Sequence, residues 1–156
     1  MEMKALRSPI ASAILVGGLF ALDRWTKILF ESQPPLQIVS GILETTVHQN
    51  YGLIANAPLP MPLIIVATAA ASTLFAALLW RSAKKQEGIA TIGLAFILAG
   101  ALGNLYDRIA QGFVFDWILL FGRSVVNLAD AWVATGAVVV LAKSRIGTLT
   151  ASEKKV

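Results

Sequence analysis

The chain contains no cysteine and a single histidine, His48, and only 14% of its 156 residues are charged. Without cysteine there is neither a disulfide framework nor a thiolate nucleophile, and a lone histidine holds no metal ion unaided. A serine–histidine hydrolase is disfavoured as well, because no motif surrounds His48 and no nucleophile–base pair stands out. The shortage of charge is the most telling absence. A soluble domain carries about a quarter charged residues, whereas here 56% of residues are hydrophobic and the mean hydropathy is +0.71. Composition alone places the chain in a membrane class, with no nucleic-acid partner expected.

What is present is organised around four apolar stretches. Spans are expected at about 9–30, 61–80, 88–106 and 125–142, each near the length needed to cross a bilayer. They use most of the chain, so one integral-membrane unit, residues 1–156, is expected. The first stretch follows Lys4 and Arg7 and has the look of a signal peptide. No small-residue cleavage site follows it, however, and it reads as a retained span. Between the first two spans Pro34-Pro35 stops the helix. Leu36-Gln37-Ile38-Val39 and Thr45-Thr46-Val47 favour extended structure, which reads as a small strand-rich cap on the membrane surface. Asn50-Tyr51-Gly52 reads as a turn with Gly52 free to take positive φ. Gly112-Phe113-Val114-Phe115 looks like a second short strand, with Asp116 following it.

Charge then orients the frame. The N-terminus, the Arg81–Glu87 loop and the C-terminal tail hold nine Lys/Arg (Lys4, Arg7, Arg81, Lys84, Lys85, Lys143, Arg145, Lys154, Lys155) against three acids. The opposite side holds four (Arg24, Lys27, Arg108, Arg123) against six acids, including every aspartate in the chain. The positive-inside rule makes both termini cytoplasmic and puts the aspartates toward the outer face.

Those aspartates carry the chemistry. Polar side chains in lipid are costly, so their clustering asks for a function. Asn104, Asp107 and Arg108 stand at i, i+3 and i+4 and share a helix face, as do Asn127 and Asp130. Asp130 lies five residues past Val125, about 7–8 Å along the axis, below the outer interface and above the midplane. Two carboxylates brought together in low dielectric share one proton. The ionised partner then activates water, while the protonated one polarises a carbonyl and supplies the leaving group's proton. Such a pair needs no metal or cofactor, and none is expected. Each member also has a plainer reading. Asp107 beside Arg108 reads most simply as an ion pair anchoring the helix end, and Asn104 and Asn127 as interhelical hydrogen-bond donors. Asp23 and Lys27, four apart, form either an interfacial ion pair or a polar wall of the site. Asp130 resists a plain reading best, with no basic residue within a turn. A proton-coupled transporter would also carry intramembrane acids, but such sites lie near the midplane at broken helices.

Five segments in order resemble the lipoprotein signal peptidases (signal peptidase II), intramembrane aspartyl peptidases of bacteria. They are Asp23-Arg24-Trp25-Thr26-Lys27, Asn50-Tyr51-Gly52, Gly103-Asn104-Leu105-Tyr106-Asp107-Arg108, Val114-Phe115-Asp116-Trp117 and Asn127-Leu128-Ala129-Asp130. The resemblance implies four transmembrane helices with an extracytoplasmic β-cradle and a short surface helix, in the bacterial cytoplasmic (inner) membrane. It implies cleavage of prolipoproteins before the diacylglyceryl-modified lipobox cysteine, with Asp116 and Asp130 as the catalytic dyad. By the same carry-over Asp23, Lys27, Asn50, Gly52, Asn104, Arg108 and Asn127 bind substrate or support the site, and Asp107 is structural. It further implies a diacylated prolipoprotein substrate, contact with membrane lipids, inhibition by globomycin-type compounds and action as a monomer. After Gly52 the family continues with small residues and phenylalanine, whereas this chain has Leu53-Ile54-Ala55-Asn56-Ala57-Pro58. A binding protein without cleavage is the remaining alternative.

Overall fold

A computed structural model of the protein describes residues 8–52 and 59–153, with side chains described to residue 144. Segment 53–58 and the side chains of Lys4, Arg7, Arg145, Lys154 and Lys155 lie outside the described residues. The element order is α1 (Pro9–Glu31), β1 (Gln37–Val39), β2 (Leu43–Asn50), α2 (Met61–Lys84), α3 (Ile89–Gln111), β3 (Val114–Leu120), β4 (Ser124–Val126) and α4 (Leu128–Glu153). Among the described residues no short surface helix accompanies them.

Ser8 caps α1 by accepting the Ala11 N–H at 3.1 Å, with Pro9 in the first turn, where a missing N–H is harmless. The expected spans are exceeded at the ends: α2 runs on through Arg81 to Lys84, and α3 through Asp107 and Arg108 to Gln111. Helical hydrogen bonding does not stop where the apolar run stops, so polar terminal turns continue it. Gly112, at φ +78°, then closes α3. Residues 143–153, read from sequence as a polar tail, likewise continue α4. By length and composition two of the four helices, α2 and α3, are apolar enough to cross a membrane.

The four strands form one antiparallel sheet in the order β1-β2-β3-β4. β3 is longer than the short strand expected, and Asp116 lies within it rather than after it. His48 stands opposite Asp116 across the β2–β3 ladder, and an irregularity between Thr45 and His48 sets that register. The β3–β4 turn has positive φ at both Phe121 and Gly122, the sign that matches hairpin twist. β4 takes Val125 and Val126 out of the expected fourth span, so α4 begins at Leu128. β-branched valines suit the strand. The turn expected at Asn50-Tyr51-Gly52 is tied down by the backbone of Gly52. Its N–H is held by Asn50 Oδ1 at 3.0 Å and its carbonyl by Arg108 at 3.0 Å.

A hydrophobic cluster of Val16, Leu79, Leu94, Ala95, Leu98 and Ala99 joins α1, α2 and α3. Leu94 precedes Asp107 by thirteen residues, about 20 Å of helix, so this core lies away from the acids. Lys143 reaches the Glu87 carboxylate at 3.9 Å, which places the α2–α3 loop and the later part of α4 at the same end. α3 and α4 approach most closely through glycine. A Cβ on Gly103 would stand 3.2 Å from Ala129 Cβ, and one on Gly100 would collide with the Ala129 carbonyl. This closeness is what brings Asn104 to Asp130.

Candidate active site

Asp116 and Asp130 both line a cavity of about 470 Å³ together with Asn50, Asn104 and Arg108, walled elsewhere by aliphatic residues such as Val114, Val126 and Val133. The two acids arrive on different elements. Asp116 comes from the middle of β3 and is 1% exposed. Asp130 is half-buried in the first turn of α4, not five residues into a helix as the sequence spacing suggested. There it makes a reciprocal cap with Asn127. The Asp130 N–H donates to Asn127 Oδ1 at 3.0 Å, and the Asn127 N–H donates to Asp130 Oδ2 at 3.2 Å. Asp130 therefore does have a plain local role, which sequence reading missed because it placed the helix start too early.

Asn127 stands between the two acids. Its Nδ2 donates to Asp116 Oδ1 at 2.6 Å and to Asn104 Oδ1 at 3.0 Å, and the residue is fully buried. Asn104 Nδ2 donates to Asp130 Oδ1 at 2.8 Å, and Asn50 Nδ2 to Asp116 Oδ2 at 3.1 Å. All four carboxylate oxygens thus have an N–H partner, which is how buried acids remain tolerable. Arg108 spends its terminal nitrogens on the carbonyls of Asn104 (3.1 Å) and Gly52 (3.0 Å), fixing the strand-to-helix crossing beside the cavity.

The shared face expected on α3 divides. Asn104 and Arg108 turn to the cavity, while Asp107 turns to α1. Asp107 makes no ion pair with Arg108; it pairs with Lys27 at 2.7 Å and with Arg24. Consecutive helix residues project about 100° apart, so sequence neighbours of opposite charge need not meet. Asp23 and Lys27 do pair, at 3.1 Å, and Lys27 also reaches toward Asn104 Oδ1 at 3.5 Å.

A family model described as Signal peptidase (SPase) II matches residues 15–146. A lipoprotein signal peptidase of Sinorhizobium fredii is 37% identical over 137 residues, covering 83% of this chain and 81% of that one. This chain belongs to the signal peptidase II family. Another family member, the lipoprotein signal peptidase of Mesorhizobium japonicum, is 32% identical over 154 residues, covering 91% and 89%. The fold of this signal peptidase II family member is similar to that of two solved bacterial membrane enzymes. One gives a TM-score of 0.80 at 19% identity over 95% of this chain and 93% of the other; the second gives 0.77 at 21% over 86% and 92%.

In this member of the signal peptidase II family, burial pushes the Asp116 carboxyl up from its ordinary 3.8 to about 6. The charge of Asp130 adds to the rise, while the Asn50 and Asn127 amides and the charge of Lys27 oppose it. Because the folded value lies above the unfolded one, the folded state binds the proton more tightly. The contribution of Asp116 to stability is then greatest at low pH and falls as pH rises from about 4 through about 6, by about 3 kcal/mol in total. Asp116→Asn removes this dependence. The gap in melting temperature between variant and wild type, measured in detergent, is expected to shift in the variant's favour between pH 4 and pH 7. A gap constant with pH would contradict the raised carboxyl.

Arg24 was read only as part of the Asp23–Lys27 segment, and its pairing with Asp107, eighty-three positions away, has no local signal. His48 sits half-buried across the ladder from Asp116, in a register that depends on a sheet irregularity.

Proposed function

We propose that the chain removes signal peptides from prolipoproteins as an intramembrane aspartyl endopeptidase, cutting before the diacylglyceryl-modified lipobox cysteine. The observation that carries this reading is the convergence of Asp116 and Asp130 on one cavity, with Asn127 between them, in a chain of this family. The pair shares one proton. The protonated partner hydrogen-bonds the scissile carbonyl. The ionised partner takes a proton from water as the water attacks, and the proton on the first passes to the leaving amine as the tetrahedral intermediate collapses. The amides of Asn50 and Asn104 are placed to exchange their internal partners for the extended substrate backbone, and Arg108 braces Gly52 at the cavity edge.

The same reading makes all four helices spans, with both termini cytoplasmic, the cavity near the outer face, and the chain in the bacterial inner membrane. Large aliphatic side chains that face outward on α1, α2 and α4 support it: Ile14 is 70% exposed, Val66 65% and Val138 67%. On a water-soluble surface such a coat would be an association liability; against lipid it is the expected covering. A diacyl anchor would then hold the substrate at the depth of the acids, with lipid acyl chains and globomycin-type inhibitors as further ligands and a monomer sufficient.

The test is cleavage by the purified protein in detergent of a diacylated prolipoprotein beside the same precursor without its diacylglyceryl group. Only the lipidated precursor should be cut, immediately before the modified cysteine. Equal cutting of both, cutting elsewhere, or none would sink the assignment.

A further inference from the structure

The two cavity acids stand on different elements, so something behind them must fix their separation. Asp23 Oδ1 accepts the N–H of Ala129 at 3.0 Å, and Ala129 immediately precedes Asp130. Asp107 Oδ2 accepts the N–H of Phe115 at 3.3 Å, and Phe115 immediately precedes Asp116. Each of these two acids, both fully buried, therefore holds the backbone one residue upstream of a cavity aspartate. Ala129 is in the first turn of α4, where an N–H has no intrahelical acceptor. Asp23 thus supplies from α1 the acceptor that the helix itself cannot.

Two buried carboxylates need counter-charge to stay side by side. Lys27 provides one bridge, at 3.1 Å to Asp23 Oδ2 and 2.7 Å to Asp107 Oδ2. Arg24 provides the other. One terminal nitrogen bonds Asp23 Oδ2 at 2.9 Å, and the other bonds Asp107 Oδ1, the oxygen that neither Lys27 nor Phe115 uses. The guanidinium also lies over the Tyr106 ring, 5.0 Å from its centroid, which holds the fork in place.

We propose that Arg24 is a positioning residue for the Asp116–Asp130 pair. With Lys27 it locks Asp23 and Asp107 into one frame, and that frame holds β3 and α4 at a fixed offset from α1. The assignment rests on the reading of Asp116 and Asp130 as the reacting acids. Without Arg24, Asp107 Oδ1 loses its partner and the cluster keeps two acids against one cation. Asp107 then turns away and releases Phe115, and the two cavity carboxyls drift out of register.

The experiment compares wild type, Arg24→Gln, Arg24→Lys, Asp107→Asn and the Arg24→Gln/Asp107→Asn double variant. The readouts are steady-state cleavage of the diacylated prolipoprotein and hydrogen exchange of the Phe115 and Ala129 amides. Arg24→Gln is expected to lower kcat at least about tenfold while KM stays within about twofold, as for a small misplacement of reacting groups. Exchange at Phe115 and Ala129 should quicken at least about tenfold with amides in α2 unchanged, the mark of a local release. Asp107→Asn should cost a similar factor, the double variant should not multiply the two losses, and Arg24→Lys should recover part of kcat. Wild-type kcat in Arg24→Gln overturns the proposal, as does exchange that quickens equally in α2. If Arg24→Gln does not fold, Arg24→Lys, which keeps the charge and loses the fork, carries the same comparison. Failure of the wild type to cleave would end the catalytic reading, whereas the exchange data would still judge the clamp.

Discussion

Asp116→Asn and Asp130→Asn are each expected to lower cleavage by at least about a thousandfold, since each removes a proton-transfer group worth about 10²–10⁴ in rate and leaves its partner without a proton to share. The two variants should differ in the pH dependence of their stability. At position 116 the amide removes a carboxyl that is costly to ionise in its buried setting, a relief that grows as pH rises through about 6. Its NH₂, however, must face a donor, Asn127 Nδ2 or Asn50 Nδ2, at a cost of about 1–3 kcal/mol. At position 130 the carboxylate also accepts the Asn127 N–H at 3.2 Å. Asparagine retains one oxygen for that bond but presents an NH₂ to Asn104 Nδ2, which now donates to Asp130 Oδ1 at 2.8 Å. Two donors then face each other, and the expected cost is about 1–3 kcal/mol. Measuring activity beside thermal stability for both variants checks the pair of roles. Cleavage at the wild-type rate by either variant would remove that residue from the chemistry.

The second large effect is expected at Gly100. A Cβ there would collide with the Ala129 carbonyl and lie 2.8 Å from Val133 Cγ2. A side chain can swing aside; a carbonyl in a helix backbone cannot. Gly100→Ala must therefore push α4 away from α3, at about 3 kcal/mol, the upper end of the range for overpacking. The displaced carbonyl belongs to the residue just before Asp130, so the separation reaches the cavity directly. Loss of about tenfold or more in kcat should accompany the lower melting temperature, as for a shift of an ångström or less at a reacting group. An alanine at Gly17, where a Cβ would meet nothing within 4 Å, serves as the control and should leave both quantities near wild type.

How much of this was legible in the sequence depended on range. Helix starts at Pro9 and Met61, the strand-forming runs near Ile38 and Thr46, and the segregation of aspartates to one end follow from local composition and were readable there. Boundaries were not. The run Trp117 to Leu120 is apolar enough for several states, and only pairing with β2 makes it strand. Val125 and Val126 were assigned to a span because they are apolar, yet pairing with β3 claims them, and the helix start moved to Leu128 with consequences for Asp130. Asn50, Asn104 and both acids, grouped through motif resemblance, line one cavity, and Asn127 is bonded behind them. The wiring behind that cavity was not legible, since Asp23 to Ala129 and Arg24 to Asp107 are contacts between distant parts of the chain. The Asp107–Arg108 pairing failed for the opposite reason. Adjacency on paper was taken for adjacency in space.

The reciprocal cap at the start of α4 divides the labour of a single carboxylate. Asp130 Oδ2 belongs to the helix, through the Asn127 N–H, while Oδ1 meets Asn104 at the cavity. A proton that comes and goes during turnover can reside on Oδ1 without touching the bond that starts the helix. The scaffold is in that sense insulated from its own chemistry: each cycle alters one oxygen's partner and leaves the other's in place. An acid placed at mid-helix would lack this arrangement, because no free backbone N–H would be there to occupy its second oxygen.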